Sequence, residues 1–466
     1  MTTDLTAATA ADLSALYAAG AASPVEVLTA VLDRAARINP RLNALTMIDA
    51  DGALAAARAS EARWTAGAAL SPIDGVPVSI KELVRAAGWP LTMGSRLTDK
   101  TPAKEDTPVV ARLREAGAVL FAQSASPEYG YKGVTDSPLN GITRNPWNPD
   151  VTPGGSSGGA GAAVAAGLGP LGIGTDGGGS VRIPASFCGL VGLKATYGRI
   201  PAWPASMHGD LANTGPMTRT ALDNALMMNV IARPDARDPF ALPADDANYV
   251  QALKTDLKGK RVGFFLRYSD HPQAADVAEA VTAAARQFEA LGAIVEVTEP
   301  PFDNTEAGMI WSLHWLSALQ RLLQVYPEDR HGEFDPGLLE QARVGAGFSL
   351  QMVIDAQVRR RELCHAWNLF FTRFDLLITP TLNVDPWAVG QNLPLREDGA
   401  PNYSWANTAV FNLTRHPAVT TPCGLSRAGL PIGLQIVGPM YHDAQVLAAA
   451  AAYAEAAPLV IPDLPR

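Results

Sequence analysis

Residues 23–35 carry the first clear periodic pattern of the chain. Val25, Val27, Leu28, Val31, Leu32 and Ala35 fall on one stripe of a helix. Its start is marked by Ser23 as cap, Pro24 in the first turn and Glu26 completing a capping box. A second helix is expected over 53–65, followed by an apolar, strand-like run at 76–81 that ends on a lysine. Residues 108–116 and 118–123 then read as a helix, a glycine and a strand, the step of an α/β sheet. The small-residue stretch 157–167 predicts a helix feeding a central strand at 171–174. Further strands are expected at 261–265, 374–380 and 434–438. Trp311, Trp315, Ala318, Leu319, Leu322 and Leu323 recur at helical spacing and predict a helix with an apolar face. No internal repeat shows, and the pattern describes a single three-layer α/β/α domain on a mixed β-sheet.

Composition narrows the partners. Hydrophobic residues make up 47% of the chain and charged ones 18%, the balance of a folded protein with a large core. No low-complexity or charge-rich linker divides the 466 residues. A formal charge of −9 argues against a nucleic-acid surface, which needs clustered basic residues. The smoothest apolar stretches, 160–174 and 444–457, are Ala/Gly-rich and too short or interrupted for a membrane span. Cys188, Cys364 and Cys423 are widely spaced and form no Cys-x-x-Cys pair, and the seven histidines form no His-x-x-x-His pair. Neither a metal nor a cofactor is expected. With inert thiols and no basic n-region at Met1-Thr2-Thr3-Asp4, the expected compartment is the cytoplasm. A homo-oligomer stays open.

Two serine-bearing glycine turns hold the candidate chemistry: Pro153-Gly154-Gly155-Ser156-Ser157-Gly158-Gly159 and Thr175-Asp176-Gly177-Gly178-Gly179-Ser180. Glycine lets a backbone bring several N–H groups toward one point, as an oxyanion hole requires. Ser180, at the end of its glycine run, would be a nucleophile beside its own oxyanion site. A serine nucleophile needs a base, and Lys81 at the end of the 76–81 run is one if burial keeps it neutral.

These segments, with Gly75-Val76-Pro77-Val78-Ser79-Ile80-Lys81, Ser180-Val181-Arg182-Ile183-Pro184-Ala185, Gly215-Pro216-Met217-Thr218-Arg219 and Gly429-Leu430-Pro431-Ile432-Gly433-Leu434-Gln435, resemble the amidase signature family of serine hydrolases. The resemblance covers about 5–235 and 370–455. It implies a large mixed sheet, with helices at about 1–70, a catalytic core at 71–235, a variable substrate-side segment at 236–370 and a return to the sheet at 371–466. It also implies a Ser–cis-Ser–Lys triad of Ser180, Ser156 and Lys81, with the N–H groups of Gly177, Gly178, Gly179 and Ser180 as oxyanion donors. Thr175, Asp176 and Arg182 become supporting residues, the latter two as an ion pair holding the turn. The expected activity is hydrolysis of a carboxamide, a small molecule with an apolar or aryl substituent, with carbamates and esters as side substrates. The amidase subunit of a tRNA-dependent amidotransferase, which works beside partner proteins, is an alternative within the same family. Many relatives carry Asp-Asn after the lysine, where this chain has Glu82-Leu83.

Two other motif matches compete. Gly155-Ser156-Ser157-Gly158-Gly159 fits a nucleophile elbow with Ser157 at its centre, and would need a histidine such as His365, His416 or His442. Gly172-Ile173-Gly174-Thr175-Asp176-Gly177 fits a dinucleotide loop, although such a loop should open a helix. For the substrate pocket, the aromatic candidates are Tyr129 and Tyr131 around Gly130, the pair Trp311 and Trp315, and Trp405.

Overall fold

Strands form where aliphatic residues lie between turn residues, and the computed structural model, which describes residues 4–245, 247–268 and 273–459, has thirteen of them. They are β1 Leu45–Ile48, β2 Pro77–Lys81, β3 Val119–Ser124, β4 Asp136–Ser137, β5 Gly141–Ile142, β6 Leu171–Asp176 and β7 Val191–Lys194. Then follow β8 Asn213–Thr218, β9 Arg261–Phe264, β10 Ile294–Val297, β11 Leu376–Pro380, β12 Ala418–Leu425 and β13 Pro431–Val437. Eleven join one sheet in the order β1-β3-β2-β6-β8-β7-β12-β13-β11-β9-β10, while β4 and β5 pair as a separate hairpin. β2 runs parallel to both β3 and β6, whereas β8 pairs antiparallel with β6 and β7. The sheet is therefore mixed, and the chain is a single α/β domain.

Side-chain alternation builds the two outer layers. Leu120, Leu376 and Ile378 join one core with Leu113, Met227, Val281 and Leu447 from four helices. Val119 and Phe121 face the opposite layer, where they meet Leu28, Val31, Ala162 and Ala163. Leu377 points the same way farther along the sheet, into a cluster with Leu363, Trp367 and Phe411. Burial on both faces explains why these strands read as continuous apolar runs rather than alternating ones.

Local chemistry adjusts several boundaries. The first periodic helix, Pro24–Leu42, outruns its apolar stripe and stops at Asn43, which takes a left-handed conformation. Its neighbour Ala50–Thr65 begins earlier than expected because the Asp49 side chain accepts from Gly52 N at 3.0 Å and caps it. The tryptophan stripe is not one helix: Asn304–Leu319 ends before a short helix, Arg321–Val325. The Gly-x-Gly-x-x-Gly match falls mostly inside β6, so its backbone groups serve the sheet ladder and it is no dinucleotide loop. No helix among the described residues is long and apolar enough to cross a membrane. Met1, Thr2 and Thr3, used above for the expected compartment, lie outside the described residues.

Candidate active site

Lys81 is the last residue of β2, a strand buried at every position between β3 and β6. Its Nζ reaches Ser156 Oγ at 2.7 Å, Ser157 Oγ at 2.9 Å and Thr175 Oγ1 at 2.9 Å. Ser156 follows a cis Gly155–Ser156 peptide bond, and Thr175 lies on the adjacent strand β6. Burial lowers the lysine to about 7, although the Asp176 and Glu82 carboxylates pull the other way. A neutral amine has two N–H donors and one lone pair. Ser157 Oγ already donates to Thr175 O at 3.1 Å, so toward Lys81 it can only accept. That leaves a hydroxyl of Ser156 or Thr175 to face the lone pair. Gly130 closes this site from the other side. Its φ is +71°, and a Cβ there would come within 3.1 Å of Ser156 Oγ.

The second turn is wrapped around a carboxylate. Asp176, wholly buried at the end of β6, accepts from Gly179 N at 2.8 Å and Val181 N at 3.2 Å. Arg182 Nε and Nη2 each donate to it at 3.0 Å, and Asn412 Nδ2 donates at 2.9 Å. Burial alone would raise Asp176, but the Arg182 charge and these hydrogen bonds outweigh it and hold the carboxyl at about 2. The remaining Arg182 donors go to Thr408 O, Gln435 Oε1 and Asn412 Oδ1 at 2.9, 2.7 and 2.7 Å. The ion pair expected between Asp176 and Arg182 is thus present, with both side chains fully buried.

The turn's carbonyls are pinned from outside. Thr408 Oγ1 donates to Gly178 O at 2.6 Å and Trp311 Nε1 to Gly177 O at 3.0 Å. The N–H groups of Gly177, Gly178 and Ser180 have no partner among the described residues. The expectation of four free donors is therefore corrected to three, because Asp176 holds the Gly179 N–H. Gly179 has φ +128°, and a Cβ there would lie 2.1 Å from Thr408 Oγ1, so no other residue fits. Ser157 N donates to Ser180 O at 3.2 Å and ties the two turns together, and Ser180 keeps 8% of its surface exposed.

Aromatic rings pack on the same turn. A Cβ at Gly177 would lie 2.7 Å from Trp315 Cζ3, and one at Gly178 would lie 2.6 Å from Trp311 Cζ2. The two indoles stack at 5.0 Å, and the other face of Trp315 carries His208 at 3.7 Å. Tyr129 and Tyr131 join Trp315 in one cluster. Tyr129 shares a 2.5 Å hydroxyl contact with Tyr326, and Tyr131 donates to Asp335 Oδ1 at 2.7 Å. Trp405 departs from expectation: it packs with Trp387, Val134, Ile183 and Phe187 in a separate cluster, backing the Gly133–Val134 segment. The nucleophile-elbow reading of Ser157 fails on geometry. Ser157 is wholly buried, its hydroxyl serves Lys81 and Thr175, and no histidine hydrogen-bonds to it among the described residues. Thr408 and Asn412 were missed from sequence because nothing local marks a residue that reaches the turn from the far end of the chain.

Residues 26–447 match the family model described as Amidase. The chain belongs to the amidase signature family. An acylamidase of Rhodococcus erythropolis is 36% identical over 448 residues, covering 95% of this chain and 94% of that protein. A glutamyl-tRNA(Gln) amidotransferase subunit of Chloroflexus aurantiacus is 34% identical over 475 residues, covering 97% of each. The crystal structure of a bacterial aryl acylamidase of the same family superposes with a TM-score of 0.90 at 32% identity, covering 97% of this chain and 96% of that one. This amidase signature protein is an amide-hydrolysing enzyme. Its Glu82, beside the lysine, is accommodated by local bonds. The buried carboxylate accepts from Thr92 Oγ1 at 2.5 Å, Ser126 N at 2.8 Å and Asn140 Nδ2 at 3.0 Å, while burial raises its pKa.

Proposed function

We propose that the enzyme cleaves a carboxamide C–N bond through an acyl-enzyme on Ser180. The observation that carries this is the Lys81–Ser156 contact of 2.7 Å inside a fully buried site, with the lysine lowered to about 7. Ser180 Oγ attacks the carbonyl carbon while its proton passes to Ser156 Oγ, whose own proton moves to Lys81 Nζ. The oxyanion accepts from the free N–H groups of Gly177, Gly178 and Ser180, an interaction worth roughly 3–4 kcal/mol per donor in a protease. As the tetrahedral centre collapses, the proton returns through Ser156 to the leaving amine. Water then adds to the acyl-enzyme, its proton taking the same relay, and the carboxylic acid leaves with Ser180 restored.

The two stacked indoles and the Tyr129–Tyr131 segment beside the turn support an apolar or aryl-substituted substrate. The similarity to an acylamidase and an aryl acylamidase points the same way. Carbamates and esters pass through the same tetrahedral geometry and are expected as side substrates. The test is a fluorophosphonate label followed by mass spectrometry, with turnover of acetanilide and glutamine measured in parallel. Label on Ser180, lost with turnover in Ser180→Ala, is the expected result. Label on another serine, or glutamine turnover that appears only with partner proteins, would refute this reading and favour the amidotransferase role.

A further inference from the structure

Met93 and Tyr129 are two of the five non-glycine residues at positive φ among the described residues, at 54° and 53°. Tyr129 N donates to Met93 O at 2.8 Å, so the two unusual conformations are coupled. Such conformations cost free energy and persist where the surroundings impose them, often at binding sites. Both residues line a cavity of about 570 Å³ together with Trp203, Tyr326, Arg85 and Lys104. Its aromatic members are buried or half-buried while Lys104 is exposed, so the inner wall is apolar and the rim charged. Tyr129 also borders the serine cluster, since the next residue, Gly130, abuts Ser156 Oγ. The Tyr129–Tyr326 hydroxyl pair, 2.5 Å apart, belongs to the cavity wall at this border.

Arg85 is half-buried in this cavity, and its guanidinium makes no hydrogen bond or ion pair among the described residues. Two carboxylates, Asp99 and Glu105, share the rim; the Asp99 oxygens accept from Thr101, and neither carboxylate pairs with Arg85 among the described residues. We infer that the cavity is a distal subsite: it takes the far arm of an elongated amide, apolar or aromatic along its length and ending in a carboxylate or carbonyl that Arg85 binds, with the Tyr129–Tyr326 pair as its gate. This rests on the amide-hydrolysing site proposed at Ser156 and Ser180. An arm that enters must part the two phenols, exchange their mutual bond for apolar contact, and place its terminal acceptor against a cation otherwise left without one.

The test uses 5-phenylpentanoate as a binding probe, read by tryptophan fluorescence because Trp203 lines the cavity, and needs no turnover. Beside it, kcat/KM is compared for acetanilide and for the monoanilide of adipic acid. In Arg85→Gln the probe should bind roughly tenfold more weakly, the factor for losing a charged hydrogen bond, and the long-to-short substrate ratio should fall with it. In Tyr326→Phe, which loses the phenol pair, the same ratio should rise roughly two- to tenfold. Probe affinity and substrate ratio unmoved in both variants would overturn the subsite. Should Arg85→Gln fail to fold, Tyr326→Phe alone decides. Failure of the proposed chemistry shows separately, as acetanilide turnover that survives Ser180→Ala.

Discussion

Replacing Arg182 by lysine tests whether the guanidinium holds the turn proposed to bind the oxyanion. All five of its N–H groups are used: two on Asp176 and one each on Thr408 O, Gln435 Oε1 and Asn412 Oδ1. A lysine ammonium has three donors on one atom, so at least two of these five buried hydrogen bonds are lost. At about 1–3 kcal/mol for each, the loss is about 2–6 kcal/mol. An unfolding entropy of about 2.1 cal/mol/K per residue gives a chain of 466 residues about 1 kcal/mol/K, so the melting temperature should fall by about 2–6 °C. Function should suffer more than stability. Asp176 orients Gly179 N and Val181 N, while Thr408 clamps Gly178 O, so a loosened fan misplaces the donors around Ser180. We expect kcat for acetanilide to fall by at least about tenfold with a smaller change in KM, the mark of an interaction made in the transition state. Calorimetry at one scan rate and steady-state kinetics read both quantities. A melting temperature within about 1 °C of the parent together with unchanged kcat would refute the argument.

Two further outcomes follow from the same geometry. The proposed relay needs Lys81 neutral, and burial places it at about 7. Its protonated fraction therefore shrinks as pH rises, and kcat/KM should climb through about pH 7 and level off above it. His208 and His416, pushed to about 3 by burial, cannot produce that limb. Lys194 is also lowered to about 7 by burial and the neighbouring Arg182 charge, so a limb that vanished in Lys194→Met would reassign it. Trp311→Phe keeps most of the ring and loses the 3.0 Å bond to Gly177 O. A loss of about 1 kcal/mol, roughly fivefold in kcat/KM, is expected even for acetamide, because the turn itself is released. A loss confined to aryl substrates would make Trp311 a pocket wall alone.

The part of the site written locally in sequence is the backbone chemistry. Glycine runs around Ser156 and Ser180, and a lysine closing an apolar run, announce turns and a buried lysine because each signal lies within a few residues. The strands at the centre were legible for the same reason: burial on both faces leaves apolar runs such as Leu376-Leu377-Ile378. What tertiary structure decided is who meets whom. Lys81, Ser157 and Thr175 converge because β2 and β6 are neighbours, a pairing no local pattern specifies. Thr408, Asn412 and Gln435 reach the turn from more than two hundred residues away, where they hold Gly178 O, the Asp176 carboxylate and the Arg182 guanidinium in place. Trp405 and Trp315 are both candidate pocket walls in the sequence. Only packing sends one to the cluster under Val134 and the other onto Gly177, since an aromatic side chain carries no record of which surface it will cover.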